Sequence, residues 1–320
     1  MKKQIKRLLV TAFLGLGLVL LALVACRLRA TKGLSEHHFE FQGVERSFFV
    51  HLPPTHSKER SVPLVIALHG GHGKADRLNS GMNFGLTAQA DARGWVLVVP
   101  QGVERGWNDG RPIDDRASRA RAGIDDVAFI GALIDRAHAR WGIDRERVFV
   151  TGISNGGSMS FHLAIALTNK LRAVAPVTMG LPSIHRSKTP QRPIAILIMN
   201  GTADPLVPYM GGQIRVLGRE RGEVLSTDDT VEWWAKANGC TTSGPRRTLP
   251  DTDLTDGTRV HTRARTGCNA DASVVLYEVE GGGHAWPGGR QYLPERMIGR
   301  VSRDIDASKV IFDFFAEHAK

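Results

Sequence analysis

Residues 147–166 read RVFVTGISNGGSMSFHLAIA and combine an apolar run, a glycine-rich turn and a second apolar run. The β-branched and aromatic residues of 147–150 predict a strand. The turn matches G-x-S-x-G over residues 152–156, with Ser154 at its centre. A strand, this turn and a helix form a nucleophile elbow, whose glycines admit a tight turn that lifts the serine oxygen to the helix N-terminus. The alternative is a glycine-rich turn with a capping serine.

Apolar and amphipathic segments alternate on both sides of this turn. The predicted strands are a hairpin of 39–41 and 46–52 around Gly43, then 63–68, 95–99, 147–150, 173–177, 194–199 and 274–279. The later runs are continuously apolar, as in strands covered on both faces. Helices are predicted over 85–92, 125–141, 156–169, 227–237 and 305–318, with Asp125 and Thr227 as N-caps. The fold class is therefore α/β, with a mostly parallel sheet of about eight strands and helices on both faces.

The stretch from 239 to 272 breaks this alternation. It is rich in Thr, Arg, Asp and Gly and has no apolar period, which predicts a surface excursion. Cys240 and Cys268 lie at its two ends, and an isolated cysteine pair in an oxidising compartment most simply forms a disulfide. We expect residues 39–320 to form a single catalytic domain that carries this stapled excursion.

The N-terminal residues resemble an export signal. A basic start precedes an apolar run that ends in Leu-Val-Ala-Cys at Cys26. This ending resembles a bacterial lipobox, so we expect residues 1–25 to be a cleaved signal peptide, Cys26 to be lipidated and 26–38 to be a tether. The alternatives are an uncleaved membrane anchor and plain secretion. All three interpretations place the rest of the chain outside the cytoplasm. The first, cleavage with lipidation, predicts a lipoprotein that faces the periplasm or the cell exterior.

The formal net charge is +10, and five arginines and three aspartates lie together in residues 105–121. Their mixed signs favour a solvated loop over a basic patch that recognises nucleic acid or an anionic surface. We therefore expect no nucleic-acid partner.

A serine nucleophile needs a base, and the base needs a carboxylate to orient it. Asp204 follows the predicted strand 194–199, and His284 follows the last predicted strand in the run GGGHAWPGG. Their order after Ser154 is that of α/β-hydrolase triads, and ligands of open α/β sheets bind where strands end. The alternatives are Asp228 or Asp229 in place of Asp204, and a surface role for His284.

Two backbone N–H groups must bind the oxyanion of such a reaction. One is that of Asn155, next after the nucleophile, and the other is expected in the glycine-rich loop 68–73, where we choose Gly71. His69 and His72 of this loop also allow a His-x-x-His metal site. No third ligand is visible in the sequence, so we expect neither a metal nor a cofactor.

Seven motifs together resemble one known group of enzymes. They are LHGG, PQG with GWND, DDVAFI, TGISNGGSMS, NGTADPLVPY, WAKANGC and GGGHAWPGG. Over about residues 39–315 the chain resembles the polyhydroxybutyrate depolymerase and feruloyl esterase group of α/β-hydrolases. The resemblance implies that Ser154, Asp204 and His284 are the triad and that Trp107 and Trp286 lie near the substrate, unless both tryptophans only pack the rim. Close relatives often carry a cysteine where this chain has Gly71.

The residues and the resemblance together predict an exported serine carboxylesterase that acts through an acyl-enzyme. A serine peptidase of the same fold and a catalytically inactive binding lipoprotein are the alternatives. The chain ends one helix after His284, without a further surface-binding domain, and a lipid anchor would restrict access to a solid. We therefore expect soluble small or oligomeric esters as substrates, rather than solid polyester.

Overall fold

The computed structural model describes residues 33–79, 82, 84–112 and 116–320. The predicted signal peptide, Cys26 and most of the tether 26–38 lie outside the described residues. The strands are β1 (Ser35–Phe41), β2 (Val44–His51), β3 (Val62–Leu68), β4 (Val96–Pro100), β5 (Ile143–Ile153), β6 (Ala173–Val177), β7 (Ala195–Gly201), β8 (Gly212–Val216), β9 (Arg219–Val224), β10 (Thr242–Ser243), β11 (Arg247–Thr248), β12 (Arg259–Thr266) and β13 (Val274–Glu280). The helices are α1 (Ala75–Asn79), α2 (Leu86–Arg93), α3 (Arg116–Arg121), α4 (Asp126–Trp141), α5 (Asn155–Ala166), α6 (Thr227–Ala237), α7 (Glu295–Ile298) and α8 (Ala307–Glu317).

One mixed sheet contains eleven of these strands, in the order β1-β2-β4-β3-β5-β6-β7-β13-β12-β10, with β11 also paired to β12. The six strands from β4 to β13 run parallel, and antiparallel strands lie at both ends. The predicted α/β-hydrolase fold with a mostly parallel sheet is confirmed, but the sheet has eleven strands instead of about eight, because β10, β11 and β12 of the segment 239–272 extend it. Because the carboxyl ends of the parallel strands meet at one edge, the loops that follow β5, β7 and β13 share that edge.

Apolar side chains cover both faces of the sheet. In β3, Leu64 and Ile66 belong to one buried cluster, and Val65 and Ala67 belong to the other. Successive strand residues point to opposite faces, so a strand with helices on both sides needs the continuous apolar run that the sequence shows.

The predicted excursion 239–272 is part of the sheet, which the sequence pattern did not indicate. Strand β12 pairs antiparallel with β13, and its arginines Arg263 and Arg265 form ion pairs with Asp228 and Glu232 of α6. These polar contacts replace the apolar packing that marks central strands, so β12 has almost no hydrophobic period. The Cys240–Cys268 disulfide is present, as predicted.

One of the two predicted N-caps is corrected. The N-cap of α6 is Ser226 and not Thr227, because the Ser226 hydroxyl accepts a 2.9 Å hydrogen bond from the Asp229 N–H. Asp125 caps α4 as predicted, through a 2.8 Å bond from the Ala128 N–H.

The arginine-rich segment 105–121 is not simply a solvated loop, since Trp107, Asp109 and the side chain of Arg111 are buried.

Among the residues that the structure describes, no helix is long and apolar enough to cross a membrane.

Candidate active site

Ser154 lies in a strained turn between β5 and α5. Its φ of 57° and ψ of −119° are unusual for a residue with a side chain. The Ser154 N–H donates to the carbonyl of Val177 at 2.9 Å and to the hydroxyl of Thr178 at 3.2 Å. These bonds hold the turn against the neighbouring strand β6, and strain kept in this way is typical of functional sites.

The glycines of the turn are required by close backbone packing. A Cβ atom on Gly156 would lie 2.3 Å from the Leu68 carbonyl oxygen and 2.7 Å from that of His69. A Cβ on Gly152 would lie 2.5 Å from the backbone of Gly156. The turn and the loop after β3 therefore touch through main chain alone, which only glycine permits.

His284 and Asp204 lie together at the ends of the adjacent strands β13 and β7. The His284 Nδ1 lies 2.7 Å from the Asp204 Oδ2, and their side chains are only 5% and 2% exposed. The other Asp204 oxygen accepts from the N–H groups of Leu206 and Val207 at 2.8 and 2.9 Å. Because its oxygens are held in this way, Asp204 can fix the imidazole with Nδ1 as the donor.

The alternative residues Asp228 and Asp229 both lie in the first turn of α6. Asp228 pairs with Arg263, and the Asp229 N–H donates to the cap of α6.

The glycines around His284 serve tight packing of its loop. A Cβ on Gly283 would lie 2.1 Å from the Ile298 carbonyl oxygen, so a side chain would push the loop away from α7. The Tyr292 hydroxyl donates to the His284 carbonyl at 2.8 Å. Close packing and this hydrogen bond therefore both hold the backbone that carries the imidazole.

The predicted oxyanion loop lies against the serine turn. A Cβ on Gly70 would lie 3.4 Å from the Ser154 Cβ, and one on Gly71 would lie 3.8 Å from the Asn155 Cβ. His69 supports this loop from within the protein, because its Nδ1 donates to the Gly70 carbonyl at 2.8 Å and its Nε2 accepts from the Gly102 N–H at 3.0 Å.

Burial lowers the pKa of His69 to about 4, so its ring is neutral at neutral pH. With both ring nitrogens engaged, His69 is a structural histidine and a poor metal ligand. Among residues 33–79, 82, 84–112 and 116–320, no group of three or more His, Cys, Asp or Glu side chains is placed to hold a metal ion.

Trp107 and Trp286 pack inside the protein. Their indoles are 1% and 2% exposed, and each N–H donates to a protein oxygen, to the His69 carbonyl at 2.8 Å and to the Ser308 hydroxyl at 3.1 Å respectively. Trp286 also stacks on Phe84, with 4.3 Å between ring centroids. These contacts agree with the packing alternative, and contact of either indole with substrate stays a prediction.

Sequence reasoning missed the group of polar residues beside Asn155. The Asn155 amide donates to the Asp109 carboxylate at 2.7 Å, and Asp109 pairs with Arg111. Burial opposes the charge of Asp109, but the neighbouring charge and hydrogen bonds, chiefly those of Arg111, together outweigh this effect and hold the pKa of the carboxyl below its usual range. The GWND motif was the available signal, but a motif does not show which residues its side chains meet.

Comparisons with known proteins identify the relatives of this chain. The family described as "Esterase PHB depolymerase" matches residues 46–183. A putative esterase, NocK, from Nocardia uniformis subsp. tsuyamanensis is 31% identical over 281 residues, which cover 85% of this chain and 79% of the relative. A probable feruloyl esterase C from Aspergillus terreus is 27% identical, with 88% and 90% covered.

Among solved structures, the acetyl xylan esterase from Aspergillus awamori superposes with a TM-score of 0.54 at 14% identity. The superposition covers 88% of this chain and 99% of that one. At this identity the likeness shows the fold alone, and the curated relatives supply the activity. The chain therefore belongs to the esterase PHB depolymerase family, and it is a carboxylesterase with the α/β-hydrolase fold.

Proposed function

We propose that this protein is an exported serine carboxylesterase that works through an acyl-enzyme, with Ser154 as nucleophile, His284 as base and Asp204 as the carboxylate that orients it. One observation carries the proposal. The chain belongs to an esterase family, and it has a strained turn at Ser154 and a buried pair of Asp204 and His284. All three residues follow parallel strands at the same edge of one sheet.

The proposed reaction has two halves. The Ser154 Oγ attacks the ester carbonyl carbon while its proton moves to the His284 Nε2, and the N–H groups of Asn155 and Gly71 bind the tetrahedral oxyanion. The C–O bond to the alcohol breaks, and His284 gives its proton to the departing oxygen. Water then attacks the acyl-enzyme in the same way, which releases the acid and restores Ser154. Asp204 stabilises the imidazolium in both halves.

A fluorophosphonate probe tests the nucleophile, because it phosphonylates an activated serine covalently. Wild type is expected to be labelled, and Ser154→Ala is expected to lose both labelling and esterase activity. His284→Ala should be about as damaging, since triad members act as a unit. Unchanged labelling or hydrolysis by folded Ser154→Ala contradicts the proposal, and turnover of peptide amides at the rate of esters would favour a peptidase.

We further propose soluble substrates: short acyl or hydroxyacyl oligomers, or feruloyl and acetyl esters of oligosaccharides. The relatives named feruloyl esterase support the choice of these esters. The measurement is kcat/KM on short p-nitrophenyl esters, methyl ferulate, hydroxybutyrate oligomers and an insoluble polyester film. The film is expected to rank last, and film hydrolysis as fast as that of the soluble esters contradicts this choice.

The Cys240–Cys268 bridge supports the export part of the proposal, because structural disulfides persist in oxidising compartments. We propose that Cys26 is the lipidated first residue of the mature protein. Intact-mass measurement of membrane-extracted protein tests this point, and a mature chain that begins before Cys26 would contradict it.

A further inference from the structure

We propose that Asp109 is a positioning residue of the oxyanion hole, which acts by holding Asn155 and through it the backbone N–H that receives the oxyanion. This inference rests on the function proposed above for Asn155. It adds a second carboxylate to the site, one that touches neither substrate nor the catalytic histidine.

Within the part of the chain that the structure describes, the hydrogen bonds of the Asn155 side chain all go to residues 107–109. Its Oδ1 accepts from the Trp107 N–H at 2.7 Å, and its Nδ2 donates to the Trp107 carbonyl at 3.2 Å and to the Asp109 Oδ2 at 2.7 Å. Three bonds on one carboxamide leave it a single orientation. Asn155 is also the first residue of α5, so fixing its side chain fixes the start of the helix that receives the oxyanion.

Asp109 is itself held rigidly. Its side chain is 2% exposed, and Arg111, at 4%, donates to both carboxylate oxygens, from Nε to Oδ1 at 3.1 Å and from Nη2 to Oδ2 at 2.6 Å. The other end of the guanidinium donates to the Arg221 carbonyl at 2.8 Å in the β8–β9 hairpin. A buried ion pair is costly to desolvate, so its presence beside the nucleophile is not explained by stability alone.

The same segment also reaches the second oxyanion loop. While the Trp107 backbone bonds to the Asn155 carboxamide, its indole N–H donates to the His69 carbonyl at 2.8 Å. His69 directly precedes Gly70 and Gly71. The two proposed donors therefore belong to loops that are tied to one another through residues 107–109, which gives Asp109 a means of setting their spacing. Moving preorganised donors by a fraction of an ångström weakens the binding of the transition state more than it weakens the binding of the substrate.

The chain offers a matched control in a second buried ion pair of the same kind. Arg46 and Asp126 lie 2.6 Å apart, with side chains 2% and 0% exposed, and Arg46 stacks over Phe129. Asp126 also accepts from the Asn108 N–H at 2.7 Å, whereas Arg46 lies on β2. Loss of Arg46 breaks the ion pair but leaves this bond to Asn108 in place, so it should cost stability without moving the oxyanion donors.

The experiment is a double-mutant cycle of Asp109→Asn and Asn155→Ala in the full-length protein, with kcat and KM measured on p-nitrophenyl acetate. Asn155→Ala keeps the backbone N–H and removes only the carboxamide that Asp109 holds. Each single variant is expected to lower kcat by about 10- to 100-fold with little change in KM. The double variant should lose little more than the worse single, because both changes break one contact.

Two further variants separate positioning from folding. Arg46→Gln should lower the unfolding temperature, because it leaves Asp126 buried without its ion-pair partner, while it keeps kcat within about threefold of wild type. Arg111→Lys keeps the charge that Asp109 needs and should retain more activity than Asp109→Asn.

Full kcat in folded Asn155→Ala or Asp109→Asn overturns the inference, and so do effects on kcat that simply multiply in the double variant. If Asp109→Asn fails to fold, Asn155→Ala decides alone, and full kcat in this folded variant overturns the inference. Failure of the proposed function is a different result, namely hydrolysis by Ser154→Ala.

Discussion

At the scale of single residues, two kinds of position hold the site together: glycines where backbones touch, and buried polar groups with assigned partners. Gly156 lets the Ser154 turn lie against the loop after β3, and His69 fixes that loop from inside. Neither residue takes part in the proposed chemistry. Their roles are geometric, because oxyanion donors contribute only when they are already in place.

Gly156→Ala should destabilise the protein and impair hydrolysis. Its Cβ would lie 2.3 Å from the Leu68 carbonyl oxygen, so the turn and the loop must move apart. We expect a loss of about 1–3 kcal/mol in the free energy of unfolding and at least a tenfold fall in kcat. Urea unfolding and steady-state kinetics measure the two effects.

Gly131→Ala is the matched control, since Gly131 is also a helical glycine, in α4, and its Cβ would meet only the Leu167 methyl groups, at 4.0 Å. It should be neutral or more stable by up to about 1 kcal/mol, with unchanged kcat. If Gly156→Ala and Gly131→Ala had the same unfolding free energy and the same kcat, close packing at Gly156 would contribute to neither stability nor activity.

At the scale of elements, the disulfide-bridged segment extends the sheet beyond the strand that leads to His284. Strand β12 covers the edge of β13 along seven paired residues, and Cys268 ties the end of this strand back to Cys240 just after α6. A strand with so few apolar residues needs other restraints, and here ion pairs to α6 and a covalent bridge supply them.

Removal of the bridge should therefore cost stability and spare chemistry. The cysteines are 28 residues apart, a loop length for which chain entropy gives about 3–4 kcal/mol. The double variant Cys240→Ser/Cys268→Ser should lose about this much in urea unfolding, with kcat near wild type while it is folded. Wild type with its bridge reduced should lose a similar amount. A bridge-free protein as stable as wild type would contradict this expectation.

At the scale of the whole molecule, buried neutral histidines link global stability to pH. Burial lowers the pKa of both His69 and His185 to about 4, from 6.5 for an exposed histidine. Between these values the unfolded chain binds protons that the folded protein excludes. Their contribution to stability is complete above about pH 6.5 and is lost as the pH falls towards 4.

His185→Gln should make the unfolding free energy less dependent on pH. One buried histidine contributes a slope of up to about 1.4 kcal/mol per pH unit in this window. Urea unfolding of wild type and variant at several pH values from 4.5 to 6.5 should show a slope shallower by about that amount in the variant. Above pH 7.5 the two slopes should agree, because the histidine binds no proton in either state. Identical slopes below pH 6.5 would contradict the assignment.

The sequence by itself determined the features that depend on neighbours along the chain. The strand, turn and helix around Ser154 follow from local glycine chemistry and hydrophobic period, and continuous apolar runs require a sheet covered on both faces. The order of Ser154, Asp204 and His284 and the single pair of cysteines after Cys26 were also visible, because the order and number of residues can be read from the sequence alone.

Only the tertiary structure decided which side chains meet. It paired His284 with Asp204 instead of Asp228 or Asp229, buried Trp107 and Trp286, and placed Asp109 against Asn155. It also drew the polar strand β12 into the sheet. Polar contacts such as these act over short distances but join residues far apart in the chain, so no periodic pattern in the sequence predicts them. Burial of apolar surface, in contrast, leaves a repeating pattern along the sequence.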